Sequence, residues 1–311
     1  MRSASATRST TEMLKLRKSA STRGLRAVRR RVASIAGVIA LAMVATACAA
    51  IPVTAFTRTG AVVGNPSTAV EWFASPAPNG REVRLALLRA QGDGPHPALL
   101  ILPGSDGLTD TYVKLARDFA AQGFDVVAGC WFGLPNATDL LARIDCDNAP
   151  DFTGVSEASV GAVQALVDAT LEATGVAPDQ LGILGYSRGG GAALLRSART
   201  GAEEPIVDLA GMVTGQVQGF DPPPPNEVNI IPSATSISAP TLMLHGTSDS
   251  IVVPTQTTTL ASAMRSAERD VTVHWYTTEC DGGCNHDLLS HTRSRNDVIE
   301  RASAWLHRHL G

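Results

Sequence analysis

The chain has 311 residues, 44% hydrophobic and 18% charged, with 28 Gly, 18 Pro and a formal charge of −3. That composition excludes a disordered, collagenous or coiled-coil protein and suffices for one sizeable core. Charge is uneven: residues 1–47 hold 10 Lys/Arg against the single acid Glu12, so residues 48–311 carry 16 basic and 28 acidic side chains, a net −12. A body that acidic repels phosphate backbones, and no basic patch stands out in it, which argues against a nucleic-acid partner.

From Arg2 to Arg31 the chain is basic and Ser/Thr-rich, and residues 32–47 form an uncharged apolar run of sixteen that stops at Cys48. This is the layout of a secretory signal, and the run is shorter than the roughly 20 residues that span a hydrocarbon core. Ala45, Thr46 and Ala47 before Cys48 resemble the lipobox of bacterial lipoproteins. The resemblance implies a diacylated Cys48 and a membrane-anchored exported protein; simple secretion or a retained anchor is the alternative. The expected organisation is a signal over 1–47, the lipobox cysteine and a small, polar tether over 48–67, and a folded domain over 68–311. With Cys48 lipidated, Cys130, Cys146, Cys280 and Cys284 remain, an even number that favours disulfides outside the cytosol. Nearest-neighbour pairing joins Cys130 to Cys146 and Cys280 to Cys284, one of three connectivities. A zinc site from Cys280, Cys284, His286 and His291 matches no standard spacing, and neither metal nor cofactor is expected.

Within the domain, residues 69–73 and 82–88 flank the turn pair Asn79-Gly80 and read as an antiparallel hairpin. Short apolar runs follow at 98–102, 124–128, 180–184, 209–213, 240–244 and 271–276. They alternate with longer helix candidates at 110–122, 155–174, 188–199, 256–267 and 293–310. The pattern predicts an α/β fold, a mostly parallel sheet with helices on both faces and its chemistry at the carboxyl ends of the strands.

After the run 180–184 stands Gly185-Tyr186-Ser187-Arg188-Gly189, followed by a helix candidate. A serine between glycines on such a sharp turn takes a strained backbone that lifts its Oγ clear of the sheet. The turn also aims the first helix amides, that of Arg188 among them, at any anion formed beside the serine. A helix-capping serine is the bland alternative. The glycines also fit the GxxxGxG of short-chain dehydrogenases, but no tyrosine here has a lysine four residues on. A nucleophilic serine needs a base, and the base a carboxylate to orient it. Downstream come His245-Gly246-Thr247-Ser248-Asp249, continuing to Pro254, and then the loop Cys280-Asp281-Gly282-Gly283-Cys284-Asn285-His286-Asp287.

With these motifs residues 68–311 resemble the α/β-hydrolase superfamily, closest to its dienelactone hydrolase-like branch, in which an HGxxDxxVP segment carries the triad acid. The resemblance implies Asp249 as acid and His286 as base for Ser187, with His291 the competing histidine. The order Ser, Asp, His is the α/β-hydrolase order. In the loop Leu102-Pro103-Gly104-Ser105-Asp106-Gly107 the resemblance places a second oxyanion amide near Ser105, to join that of Arg188. Pro254 falls one residue later than the pattern. Dienelactone hydrolases proper use cysteine where this chain has Ser187, so their lactone substrate is not carried over. The expected activity is cleavage of small-molecule carboxylic esters through an acyl-enzyme. A thioesterase, a peptidase or an inactive envelope-binding protein are the alternatives. The stretch 131–151 is expected either to overhang the pocket as a lid, with Trp131 and Phe132 as an apolar wall, or to be a stapled surface insertion.

Overall fold

The run ALLIL at 98–102 offers no polar face to solvent, so a strand built from it must be covered on both sides. In the computed structural model, which describes residues 57–58, 69–76, 80, 82–132, 154–215 and 227–310, it is the middle strand of a nine-stranded sheet. The elements in chain order are β1 (Thr57–Arg58), β2 (Glu71–Pro76), β3 (Glu82–Leu88), β4 (Ala98–Leu102), α1 (Asp110–Ala120), β5 (Asp125–Gly129), α2 (Glu157–Thr174), β6 (Leu181–Tyr186), α3 (Arg188–Thr200), β7 (Ile206–Leu209), β8 (Thr241–Gly246), α4 (Pro254–Ser266), β9 (Val271–Tyr276) and α5 (Thr292–His309). Across the sheet they lie in the order β1-β2-β3-β5-β4-β6-β7-β8-β9. The first three strands pair antiparallel, β3 antiparallel to β5, and every pair from β5 to β9 is parallel. The chain has the α/β-hydrolase fold.

Topology decides which face each helix covers. The step from β4 to β5 runs one way along the sheet and the step from β5 to β6 runs back, so right-handed crossovers put α1 and α2 on opposite faces. Accordingly α1 packs with α5, and α2 with α3. Every residue of β4, β5 and β8 is buried. Fully buried side chains such as Leu99, Leu100 and Ile101 each contribute about 1.5–3 kcal/mol of burial free energy. The order reverses between β4 and β6, and the crevice beyond their carboxyl ends is where open α/β sheets place their chemistry.

Three expectations change. The strand predicted at 209–213 runs instead over Ile206–Leu209, because Asp208 interrupts the apolar run that marks it. Residues 210–213 are apolar and buried for another reason: they turn back under α3, with Ala210 at φ 50° and Met212 N–H donating to the Ser187 carbonyl. The sheet also begins ahead of residue 68, since Thr57 and Arg58, within the predicted tether, pair with Ala74 and Phe73. Finally, Trp131 and Phe132 are buried against each other with ring centroids 4.5 Å apart, and neither is among the described residues that line the cleft over Ser187. They follow Cys130 just after β5, and the Trp131 indole N–H donates to the Pro103 carbonyl in the loop that leaves β4. The export signal over 1–47, Cys48, Cys146 and residues 133–151 of the predicted lid lie outside the described residues.

Candidate active site

Ser187 follows β6 and precedes α3 with φ 52° and ψ −117°, a backbone region that only glycine enters at low cost. Its main chain is tied down on three sides: Ser187 N–H donates to Leu209, and its carbonyl accepts from Gly190 and Met212. The flanking glycines are required by contact. A Cβ on Gly185 would lie 2.4 Å from the Gly189 carbonyl oxygen, and one on Gly189 2.2 Å from that of Leu102. The Ser187 hydroxyl makes no capping bond to the helix it precedes. It lies instead 3.1 Å from His286 Nε2.

His286 Nδ1 in turn lies 2.8 Å from Asp249 Oδ2, which completes an unbroken line Ser187, His286, Asp249. Asp249 also forms a turn, because its other oxygen accepts the amides of Ile251 and Val252 at 2.8 and 2.9 Å. Burial on its own would raise the Asp249 pKa. The hydrogen bonds and charges of His245 and His286 outweigh it and hold the carboxyl well below its ordinary range. The acid and histidine loops are laced together, since Ser248 N–H donates to the Cys284 carbonyl at 2.9 Å. Cys280 and Cys284 are joined by a disulfide, so neither is a thiolate available to a metal. Cys130 is also disulfide-bonded, and its expected partner Cys146 lies outside the described residues. His291 stands at the start of α5 and takes no part in this line.

The two amides expected to face an oxyanion belong to Arg188, the first residue of α3, and to Ser105, in the turn after β4. Amides of a first helical turn point out of the helix N-terminus, where the dipole favours negative charge. The β4 loop lies against the serine, for a Cβ on Gly104 would stand 3.2 Å from Ser187 Cβ. The Gly104 N–H donates to the Tyr112 hydroxyl at 2.9 Å and is therefore engaged within the loop. The Arg188 guanidinium is buried and lies 3.5 Å from Glu227 in an ion pair. Burial lowers the Arg188 pKa and raises that of Glu227, and each charge partly offsets the shift of the other.

A cleft of about 450 Å³ opens over Ser187, lined by Ser105, Asp106, Tyr186, Ile251, Asp287 and Leu289 among others. Ile251 is 44% exposed and gives the cleft an apolar lip. The Tyr186 ring lies tilted against that of His286, centroids 5.2 Å apart, and its hydroxyl donates to the His286 carbonyl at 2.9 Å. Burial, and then the carboxylates of Asp287, Asp106 and Asp249, push its pKa far above the ordinary phenol value and keep it a donor. Sequence reasoning singled out neither Tyr186 nor Tyr112. The available signal was a hydroxyl on an otherwise apolar face: Tyr112 shares α1 with buried Val113, Leu115, Ala116 and Phe119, and a buried tyrosine hydroxyl requires a partner.

The sequence model of the dienelactone hydrolase family matches residues 84–310. No relative was found among curated proteins. Among solved structures the chain is similar to a Klebsiella pneumoniae protein assigned to the dienelactone hydrolases, at 20% identity and a TM-score of 0.58, covering 75% of this chain and 95% of that one. It is similar to an esterase of Pyrococcus furiosus at 15% identity and a TM-score of 0.58, covering 82% of this chain and all of that one. A puromycin-hydrolyzing peptidase of Mycobacterium tuberculosis is 17% identical with a TM-score of 0.55, over 81% of this chain and 41% of that one. At such identities the likeness establishes the fold.

Proposed function

Because the chain belongs to the dienelactone hydrolase family, we propose that it is a serine hydrolase cleaving carboxylic esters through an acyl-enzyme. The observation that carries this reading is the line from Ser187 Oγ to His286 Nε2 at 3.1 Å and from His286 Nδ1 to Asp249 at 2.8 Å, built on a strained serine. His286 takes the Ser187 proton as Oγ attacks the ester carbonyl, and Asp249 stabilises the imidazolium. The Arg188 and Ser105 amides hold the tetrahedral oxyanion, a contribution of about 2.7–4 kcal/mol per good donor. His286 then protonates the departing alcohol, and a water activated by the same imidazole releases the acid. No cofactor enters this cycle.

The rim supports a substrate preference. Asp106 and Asp287 border the cleft and the Arg188 charge is committed to Glu227, which favours uncharged acyl groups over carboxylate-bearing ones. We extend the proposal to location on the sequence alone: export directed by residues 1–47 and anchorage through a lipid on Cys48.

A fluorophosphonate probe tests the nucleophile without presuming a substrate. Mass spectrometry is expected to find the adduct on Ser187, absent in Ser187→Ala and weakened in His286→Ala. Folded protein that takes no label would overturn the reading and favour a binding role. Parallel turnover of p-nitrophenyl acetate and a matched anilide separates an esterase from a peptidase.

A further inference from the structure

One peptide group beside the nucleophile is held at both ends by buried aromatic side chains. Trp131 Nε1–H donates to the Pro103 carbonyl at 2.8 Å. The Gly104 N–H, the other end of that peptide, donates to the Tyr112 hydroxyl at 2.9 Å. Tyr112 passes its own proton to Asp106 Oδ1 at 2.8 Å, so its oxygen has one orientation, accepting from Gly104 and donating to Asp106. The next peptide is held as well, because the Gly104 carbonyl accepts the Gly107 N–H at 3.0 Å. A peptide is planar, so fixing that carbonyl fixes the direction of the N–H at its far end, which belongs to Ser105.

Tyr112 and Trp131 are each 1% exposed and belong to the core: one is on α1, the other follows β5. A buried tyrosine or tryptophan needs some partner, but packing does not require both to choose the same peptide. That peptide lies between the end of β4 and the amide assigned to the oxyanion.

The geometry points to Tyr112 and Trp131 as positioning residues of the oxyanion hole: together they lock the Pro103–Gly104 peptide and so hold in place the peptide that follows it, whose N–H belongs to Ser105. This inference rests on the serine-hydrolase reading above. An oxyanion hole is effective because its donors need not reorganise as charge develops. Releasing either end lets the peptide plane rotate, and the reorganisation is then added to the transition state. The loss falls on kcat more than on KM, since the ground-state carbonyl carries less charge.

Tyr112→Phe and Trp131→Phe each keep a ring and delete one hydrogen bond. With p-nitrophenyl acetate as probe, and rates normalised to sites titrated by fluorophosphonate, kcat is expected to fall about 10- to 100-fold with KM held within about twofold. The second readout is the rate ratio between an oxoester and its thionoester, whose sulfur accepts hydrogen bonds poorly. The ratio is expected to narrow in both variants. It reports only on active molecules, so a variant that folds in part still gives an answer. Unchanged kcat per titrated site would overturn the inference, and so would a reduced kcat with an unchanged ratio, which assigns the two side chains to packing. Wild-type protein that neither labels at Ser187 nor turns over the ester removes the serine-hydrolase reading, and this inference with it. A labelled, active wild type beside indifferent variants removes this inference alone.

Discussion

His245 Nε2 lies 3.0 Å from Asp249 Oδ2, the same oxygen that His286 Nδ1 meets at 2.8 Å. Nε2 also lies 2.8 Å from the Val252 carbonyl, which only accepts, so this nitrogen carries the proton, and Nδ1 meets the Thr257 hydroxyl at 2.7 Å. A second, wholly buried histidine thus braces the carboxylate that orients the first.

His245→Leu removes this brace and leaves two buried acceptors short of a donor. Urea unfolding is expected to show a loss of about 1–3 kcal/mol, and kcat to fall about tenfold as Asp249 gains freedom. Wild-type kcat in the folded variant would show that Ile251, Val252 and His286 hold the carboxylate without help.

Asp208 is 1% exposed, with Oδ1 lacking a hydrogen-bond partner among the described residues, and burial pushes its pKa up to about 7 against an opposing effect of His245. Here the folded state holds the proton more tightly than the unfolded chain. Stability contributed by this group is therefore present below about pH 4 and is lost as pH rises toward 7, with no further change above. Asp208→Asn removes that dependence, so its stability relative to wild type is expected to improve between pH 5 and pH 8 by on the order of 2 kcal/mol. Parallel denaturation curves at the two pH values that keep a constant gap would contradict the assignment.

The Cys280–Cys284 disulfide closes a tight loop two residues before His286, and the Cys284 carbonyl anchors Ser248. Reduction is expected to lower kcat several-fold at temperatures where circular dichroism is unchanged, and Cys280→Ser to reproduce the effect. Activity indifferent to reductant would mean that the backbone bonds alone fix the histidine loop.

Gly246 ends β8 where the acid and histidine loops meet. A Cβ there would lie 2.4 Å from the Cys284 carbonyl oxygen and 2.5 Å from that of Asn285. Gly246→Ala must push the loops apart, and kcat is expected to fall at least about tenfold with a stability loss of about 1–3 kcal/mol. Near-normal kinetics would mean that the loops shift together as a unit.

Much of this architecture was legible because the signals are local. An apolar strand, a serine between glycines and a helix occupy 20 consecutive residues, and the turn they dictate is the one observed at Ser187. Asp249 and His286 stand in the segments where the family resemblance implied an acid and a base, each just beyond a strand that the sequence marks clearly. The misplaced β7 shows the limit: apolar residues 210–213 are buried as a loop, and burial alone does not distinguish loop from strand. Trp131 was misread for a related reason. Its ring is buried as an aromatic ring should be, but its indole nitrogen chooses a carbonyl 28 residues away, and only the parallel pairing of β4 with β5 brings the two together. Residue type announces that Tyr112 and Trp131 need partners without naming them.

The backbone of Ser187 carries a consequence for stability. A non-glycine residue held at φ 52° and ψ −117° costs about 1–3 kcal/mol, and the bonds from Leu209, Gly190 and Met212 keep it there. Ser187→Gly relieves the strain and deletes the proposed nucleophile in one step, so it is expected to give a protein that melts higher and turns over no ester. Selection for robustness alone would therefore erode this chain first at the residue proposed as its nucleophile.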